Sequence, residues 1–105
     1  VELGCPVKVV ILNNNGLGMV RQWQRLFYGN RYSGSQHQLP TDFVRLAKAF
    51  DADGADVFTK EELPAALAAA KAAKGPFFLN IRVENDENVM PMVAPNAALD
   101  QMIGY

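Results

Sequence analysis

The stretch VVILNNNGLGMVRQWQ, residues 9–24, joins an apolar run to three consecutive asparagines and then to a helix-like pattern with no linker between. Pro6 followed by VKVVIL, residues 7–12, reads as a strand because it is short, rich in β-branched residues and stopped by Asn. Its near-continuous apolarity predicts burial on both faces, the habit of a parallel sheet covered by helices. From Gly18 to Tyr28, the residues Met19, Trp23, Leu26 and Phe27 recur at spacings of four, three and one, which aligns them on one helical face.

Ligands of open parallel sheets bind beyond the carboxyl ends of the strands. Asn13, Asn14 and Asn15 occupy such an end. Amide oxygens are hard, neutral ligands suited to Mg²⁺ or Ca²⁺, which share their coordination with phosphate oxygens and water. Gly16 and Gly18 let the backbone approach closely and turn into a helix whose first amides favour anions. The same residues also build ordinary turns, since Asn and Gly both tolerate left-handed backbone angles. Met19, Trp23 and Phe27 suit a core as well as a pocket wall.

Working outward, GNRYSGSQHQLP (29–40) is polar, rich in Gly and Ser and without period, so residues 28–40 read as a mobile loop. His37, within it, reads as a solvated, noncatalytic histidine. Thr41 is the expected N-cap of a helix to Phe50, with Phe43, Leu46, Ala47 and Phe50 facing inward. Val57 and Phe58 suggest a very short strand, and Thr59 with Glu62 a capping box. LPAALAAAKAAK then predicts a helix ending at Gly75, with Pro64 tolerated in its first turn.

PFFLNIRVE (76–84) is the second clear strand, and residues 85–105 read as an extended arm with a short helix at its end. The segment DADGADVFTKEE (51–62) has some likeness to a calcium loop. An EF-hand, however, needs its Gly at the sixth position, and Gly54 is fourth, so solvated acids beside a turn explain it better. The alternation predicts an α/β fold, a small parallel sheet flanked by helices. Two firm strands and one doubtful one are few for such a sheet, so further N-terminal sequence is expected in a parent protein.

A length of 105 residues allows one domain at most. The net charge of −1 comes without any basic stripe, which argues against a nucleic-acid partner. Every apolar run falls well short of the ~20 residues that span a bilayer, so no membrane partner is expected. VELGCPVK lacks the form of a signal peptide, which makes a reducing, cytoplasmic location the expectation. Cys5 has no partner in the chain, which excludes an intrachain disulfide and a four-thiolate metal site and predicts an inert, packed thiol.

The run LNNNGLGMVRQWQRLFYGNRYS resembles the LNN-x-x-LGMV-x-QWQ-x-x-FY segment of the catalytic subunit of acetolactate synthase, also called acetohydroxyacid synthase. That family uses thiamine diphosphate. The likeness continues through PTDFVRLAKAF and PFFLNIRV to ENVMPMVAPNAALDQMI, similar to the family's ENV-x-PMVAPGA-x-LDEMI terminus, and so covers essentially the whole chain. It implies that residues 1–105 are the C-terminal half of a thiamine diphosphate-binding domain. The family's metal motif opens with Gly-Asp-Gly and closes with the paired Asn; only the closing half is present.

By that resemblance, the Asn14 side chain and the Gly16 carbonyl ligate Mg²⁺, while Leu17, Gly18 and Met19 line the cofactor. Gly16 departs from the bulkier residue often found there, which a carbonyl ligand tolerates. Asn13 would hold the turn, Asn15 would face solvent, and Trp23 would border the pocket of the second 2-oxo acid. The loop after Tyr28 matches a segment that closes over the active site. The resemblance further implies a carboligase acting on pyruvate and 2-oxobutyrate in branched-chain amino acid synthesis, with FAD in the parent, a homo-oligomer of catalytic subunits and a regulatory small subunit. The glutamate that activates the cofactor comes in this family from an earlier domain of a partner subunit. No catalytic residue is therefore assigned here, and the isolated chain is expected to be inactive. Two alternatives are another thiamine diphosphate carboligase or decarboxylase, and a noncatalytic half-domain that binds partners through an apolar sheet edge and Pro-rich arm.

Overall fold

The computed structural model describes residues 3–104. Its elements run β1 (Lys8–Asn13), α1 (Gly18–Phe27), α2 (Phe43–Ala49), β2 (Asp53–Val57), α3 (Leu63–Ala72), β3 (Phe77–Arg82), β4 (Met92–Val93) and β5 (Met102–Ile103). They divide into two units, Val1–Asn15 with His37–Glu84, and Gly16–Gln36 with Asn85–Tyr105. No helix among the described residues is long and apolar enough to cross a membrane.

The first unit is built on a three-stranded sheet of order β1-β3-β2, parallel throughout. Side chains alternate between the faces of a strand, so Phe77, Leu79 and Ile81 share one face with Ala55 and Val57. That face meets Leu63, Ala66, Ala70 and Ala73 of α3 and its end, and the cluster is the apolar core. Alanines suit this helix because small side chains let it lie close to the sheet. On the other face, Val44 of α2 comes near Gly54 and Phe78; a side chain at Gly54 would lie 2.9 Å from the Phe78 carbonyl oxygen. The expected parallel α/β sheet is thus present, with helices against both faces of β2 and β3; β1, expected to be buried on both faces, instead leaves Val10 and Leu12 exposed.

Details differ from expectation for local reasons. Asp42, not Thr41, caps α2, its Oδ1 accepting the Arg45 backbone N–H at 2.7 Å. Ala47 alone of the expected inward residues is buried; Leu46 and Phe50 are exposed. The short strand is the five-residue β2, and Phe58 lies beyond it, exposed. The acidic segment 51–62 thus holds the strand β2 at its centre, with turns on either side. Glu62 makes the returning half of the capping box, accepting N–H bonds from Phe58 and Thr59 at 2.7 and 3.1 Å, but α3 starts at Leu63 and stops at Ala72. Lys8 Nζ serves the far end of α3 by donating to the carbonyls of Ala73 and Gly75. Cys5 is exposed rather than packed.

The second unit has a different basis. The buried residues it contains are polar, Gln22 and Ser35. Gln22 clasps Val89 twice, its Nε2 donating to the Val89 carbonyl at 2.9 Å and its Oε1 accepting the Val89 N–H at 2.7 Å. Arg21 pairs with Asp86. Residues 85–104 contain no helix; β4 and β5 pair antiparallel instead. Just after β5, Gly104 has a φ of +90° and packs against Met90, where a side chain would strike Sδ at 2.6 Å.

Candidate functional site

β1 delivers its asparagines to the carboxyl end of the sheet. Asn13 is the last strand residue, and its Oδ1 accepts the Asn15 backbone N–H at 2.9 Å. This bond from residue i to i+2 is an Asx-turn, with Asn14 at its centre. Asn15 takes the left-handed conformation, φ +56°, which Asn tolerates better than most residues. It is half-buried, and its Nδ2 donates to the His37 carbonyl at 3.2 Å, so it ties down the returning chain instead of facing solvent. Asn13 Nδ2 in turn donates to Asn80 Oδ1 at 3.0 Å. Asn13 and Asn15 thus spend their amides on the protein. Asn14 is the half-buried residue between them.

In the second unit, Gly16 pairs with Gln36 in an isolated antiparallel bridge. A Cβ at Gly16 would lie 2.7 Å from the Ser35 carbonyl oxygen, which gives this chain a steric reason for glycine where a bulkier residue is common in the resembled family. The Leu17 N–H donates to that same carbonyl at 2.8 Å, and Gly18 opens α1. Residues of the 28–40 loop are tied to α1: Gln24 Nε2 donates to the Ser33 carbonyl at 2.9 Å, and the Arg21 guanidinium lies 5.1 Å from the Tyr32 ring centroid.

Met19 and Trp23, predicted as site residues, line one open cavity of about 680 Å³. Met19 is half-exposed, so the apolar face of α1 is a surface groove, not a core. Phe27 braces the wall, meeting Trp23 edge to face at 5.6 Å between centroids. Val20, Gln24, Tyr28 and Arg31 line the same cavity and were not anticipated. The four-residue spacing from Val20 to Gln24 to Tyr28 was the available signal. Leu17, Gly18, Asn14 and Gly16 are not among the lining residues.

Residues 1–81 match the family described as thiamine pyrophosphate enzyme, C-terminal TPP binding domain. The chain belongs to the thiamine pyrophosphate enzymes. Within this family it is 47% identical over 105 residues to the mitochondrial acetolactate synthase catalytic subunit of Saccharomyces cerevisiae, covering all of this chain and 15% of that protein. It is 46% identical over 103 residues to the acetolactate synthase large subunit of Parasynechococcus marenigrum, covering 96% of this chain and 16% of that one. The chain therefore spans about a sixth of the length of these relatives. Among solved structures it is similar to the thiamine diphosphate-dependent 4-hydroxybenzoylformate decarboxylase of Rhodococcus jostii RHA1, with a TM-score of 0.70 and 29% identity over 79% of this chain and 16% of that one. The expected family, its cofactor class and the parallel α/β fold are borne out.

Proposed function

We propose that this chain is the C-terminal half of the thiamine diphosphate-binding domain of an acetolactate synthase catalytic subunit. The full-length enzyme would decarboxylate pyruvate and join the two-carbon fragment to a second 2-oxo acid, pyruvate or 2-oxobutyrate, in branched-chain amino acid biosynthesis. The observation that carries this reading is the 47% identity to the yeast catalytic subunit across the whole chain.

The local chemistry fits Mg²⁺ and a diphosphate. A turn at the carboxyl end of a parallel strand has Asn14 at its centre, closed by the Asn15 N–H on Asn13 Oδ1, and a neutral amide oxygen complements a cation that phosphate oxygens also coordinate. The Asn14 side chain and the Gly16 carbonyl would hold Mg²⁺, and Leu17, Gly18 and Met19 would line the cofactor. When bound, thiamine diphosphate supplies the electron sink for decarboxylation and carboligation. Trp23 and Met19 contribute an apolar wall, and apolar contact with one extra methylene distinguishes 2-oxobutyrate from pyruvate by about 1–3 kcal/mol. The 28–40 loop would exclude water from the reacting centre. FAD, a homo-oligomer of catalytic subunits and a regulatory small subunit complete the proposal.

The test is an assay of the full-length enzyme with pyruvate alone and with pyruvate plus 2-oxobutyrate. Acetolactate and acetohydroxybutyrate are the expected products. Decarboxylation without carboligation, or indifference to 2-oxobutyrate, would favour a different thiamine diphosphate enzyme. The 105-residue chain alone is expected to form no acetolactate, because no catalytic residue is assigned to it.

A further inference from the structure

We propose that Asp56 and Asn80 are positioning residues for Asn14, acting through a directional chain of side-chain hydrogen bonds across the tips of the three parallel strands. This deepens the proposed function and rests on its assignment of Asn14 to the metal. The chain begins at Asp56, whose carboxylate only accepts. Asn80 Nδ2 donates to Asp56 Oδ1 at 2.7 Å. That contact decides which way the Asn80 amide points, and its Oδ1 is left to accept from Asn13 Nδ2 at 3.0 Å. Asn13 is then committed to turning its own Oδ1 toward the Asn15 N–H, at 2.9 Å, which closes the turn around Asn14.

The register explains the selection of these residues. Asn80 lies directly opposite Asp56 in the β2–β3 pairing. Asn13 lies opposite Arg82 in the β1–β3 pairing, so it reaches Asn80 on the diagonal. With alternation along each strand, all three side chains stand on one face. Asn80 is 4% exposed, so water cannot compensate a reversed amide. Reversal would set an oxygen against the Asp56 carboxylate and an NH₂ against that of Asn13, leaving buried groups unpaired. One carboxylate on an outer strand thereby orients a turn on the opposite outer strand. Residues that orient a metal ligand in this way commonly govern metal affinity without touching the ion.

The test uses the full-length enzyme and two readouts besides activity: affinity for Mg²⁺-thiamine diphosphate from tryptophan fluorescence, and the melting temperature without cofactor. Asn80→Asp sets two carboxylates face to face and is expected to weaken cofactor affinity about tenfold or more. The double exchange Asp56→Asn with Asn80→Asp reverses one donor–acceptor pair while keeping every bond, and affinity should return to within about threefold of the parent. Asp56→Ala, at an exposed strand end, removes the orienting acceptor with little risk to folding and should weaken affinity several-fold. If Asn80→Asp lowers the cofactor-free melting temperature and leaves affinity unchanged, the chain only holds the sheet and the proposal is overturned. Failure of the double exchange to recover affinity overturns it as well. Asn14→Ala separates the two levels. Loss of binding there with full binding in Asn80→Asp defeats the positioning role alone, whereas full binding in Asn14→Ala defeats the metal assignment and the inference with it.

Discussion

The two units of this chain differ in what they bury: mostly apolar side chains in the sheet unit, where Asn80 is the buried polar residue, and polar ones in the α1 unit. In the sheet unit, Val57, Ala70, Phe77 and Leu79 form an apolar cluster. In the α1 unit the buried residues are Gln22 and Ser35, while Met19 and Val20 remain half-exposed. An apolar core is non-directional, so it tolerates small displacements and stabilises by area. A polar clasp such as Gln22 on Val89 has two bonds of fixed direction and stabilises only in one arrangement. In the sheet unit the Asn turn is fixed by directional bonds of its own, through Asn13 and Asn80, beside the apolar core, and the α1 unit leaves apolar side chains open along a groove.

The largest expected effect follows from the core. Leu79 is 1% exposed, and Leu79→Ala should cost about 3 kcal/mol through lost transfer energy and a residual cavity. Hydrogen exchange at the amides of β1, β2 and β3 would quicken by roughly two orders of magnitude. Equal quickening at the Val89 amide would break the comparison. Gln22→Leu is the complementary change: it adds apolar surface yet removes both partners of the Val89 backbone. Here we expect a loss of about 1–2 kcal/mol, seen as roughly tenfold faster exchange at Val89. A stabilising outcome would mean that the α1 unit is held by apolar packing after all.

The same contrast decides what could be read in the sequence. β1 was legible from its apolar, β-branched VVIL, β3 from its FFL and Ile81, and α3 from its alanines. β2 was legible only at Val57, since Asp53, Gly54, Ala55 and Asp56 carry little strand preference and are held by pairing with β3. Periodicity found α1 and placed Met19 and Trp23 on one face, but it did not find the burial of Gln22. It assigns burial by apolarity, whereas Gln22 is buried through bonds to a residue 67 positions away. The terminal arm forms a ladder in place of a helix because β4 and β5 satisfy each other's backbone. At the site, the strand-tip asparagines stood out on the page. Asp56 and Asn80 did not, although a lone Asn within FFLNIR was a usable signal, because their partnership exists only once the register of three strands is known.

A smaller effect sharpens the comparison inside the sheet unit itself. α2 has seven residues, too few to be stable on propensity, and contributes one buried side chain, Ala47. Its start depends on Asp42 Oδ1 accepting the Arg45 N–H. Asp42→Ala should therefore cost about 1 kcal/mol and Asp42→Asn much less, since Asn caps almost equally well. Exchange at the Arg45 amide reports both. The cap is a directional bond of the kind that holds the α1 unit, yet here it trims a helix beside an apolar core. If its loss approached that of Leu79→Ala, the sheet unit too would be held by single bonds of fixed direction, and the distinction between the units would fail.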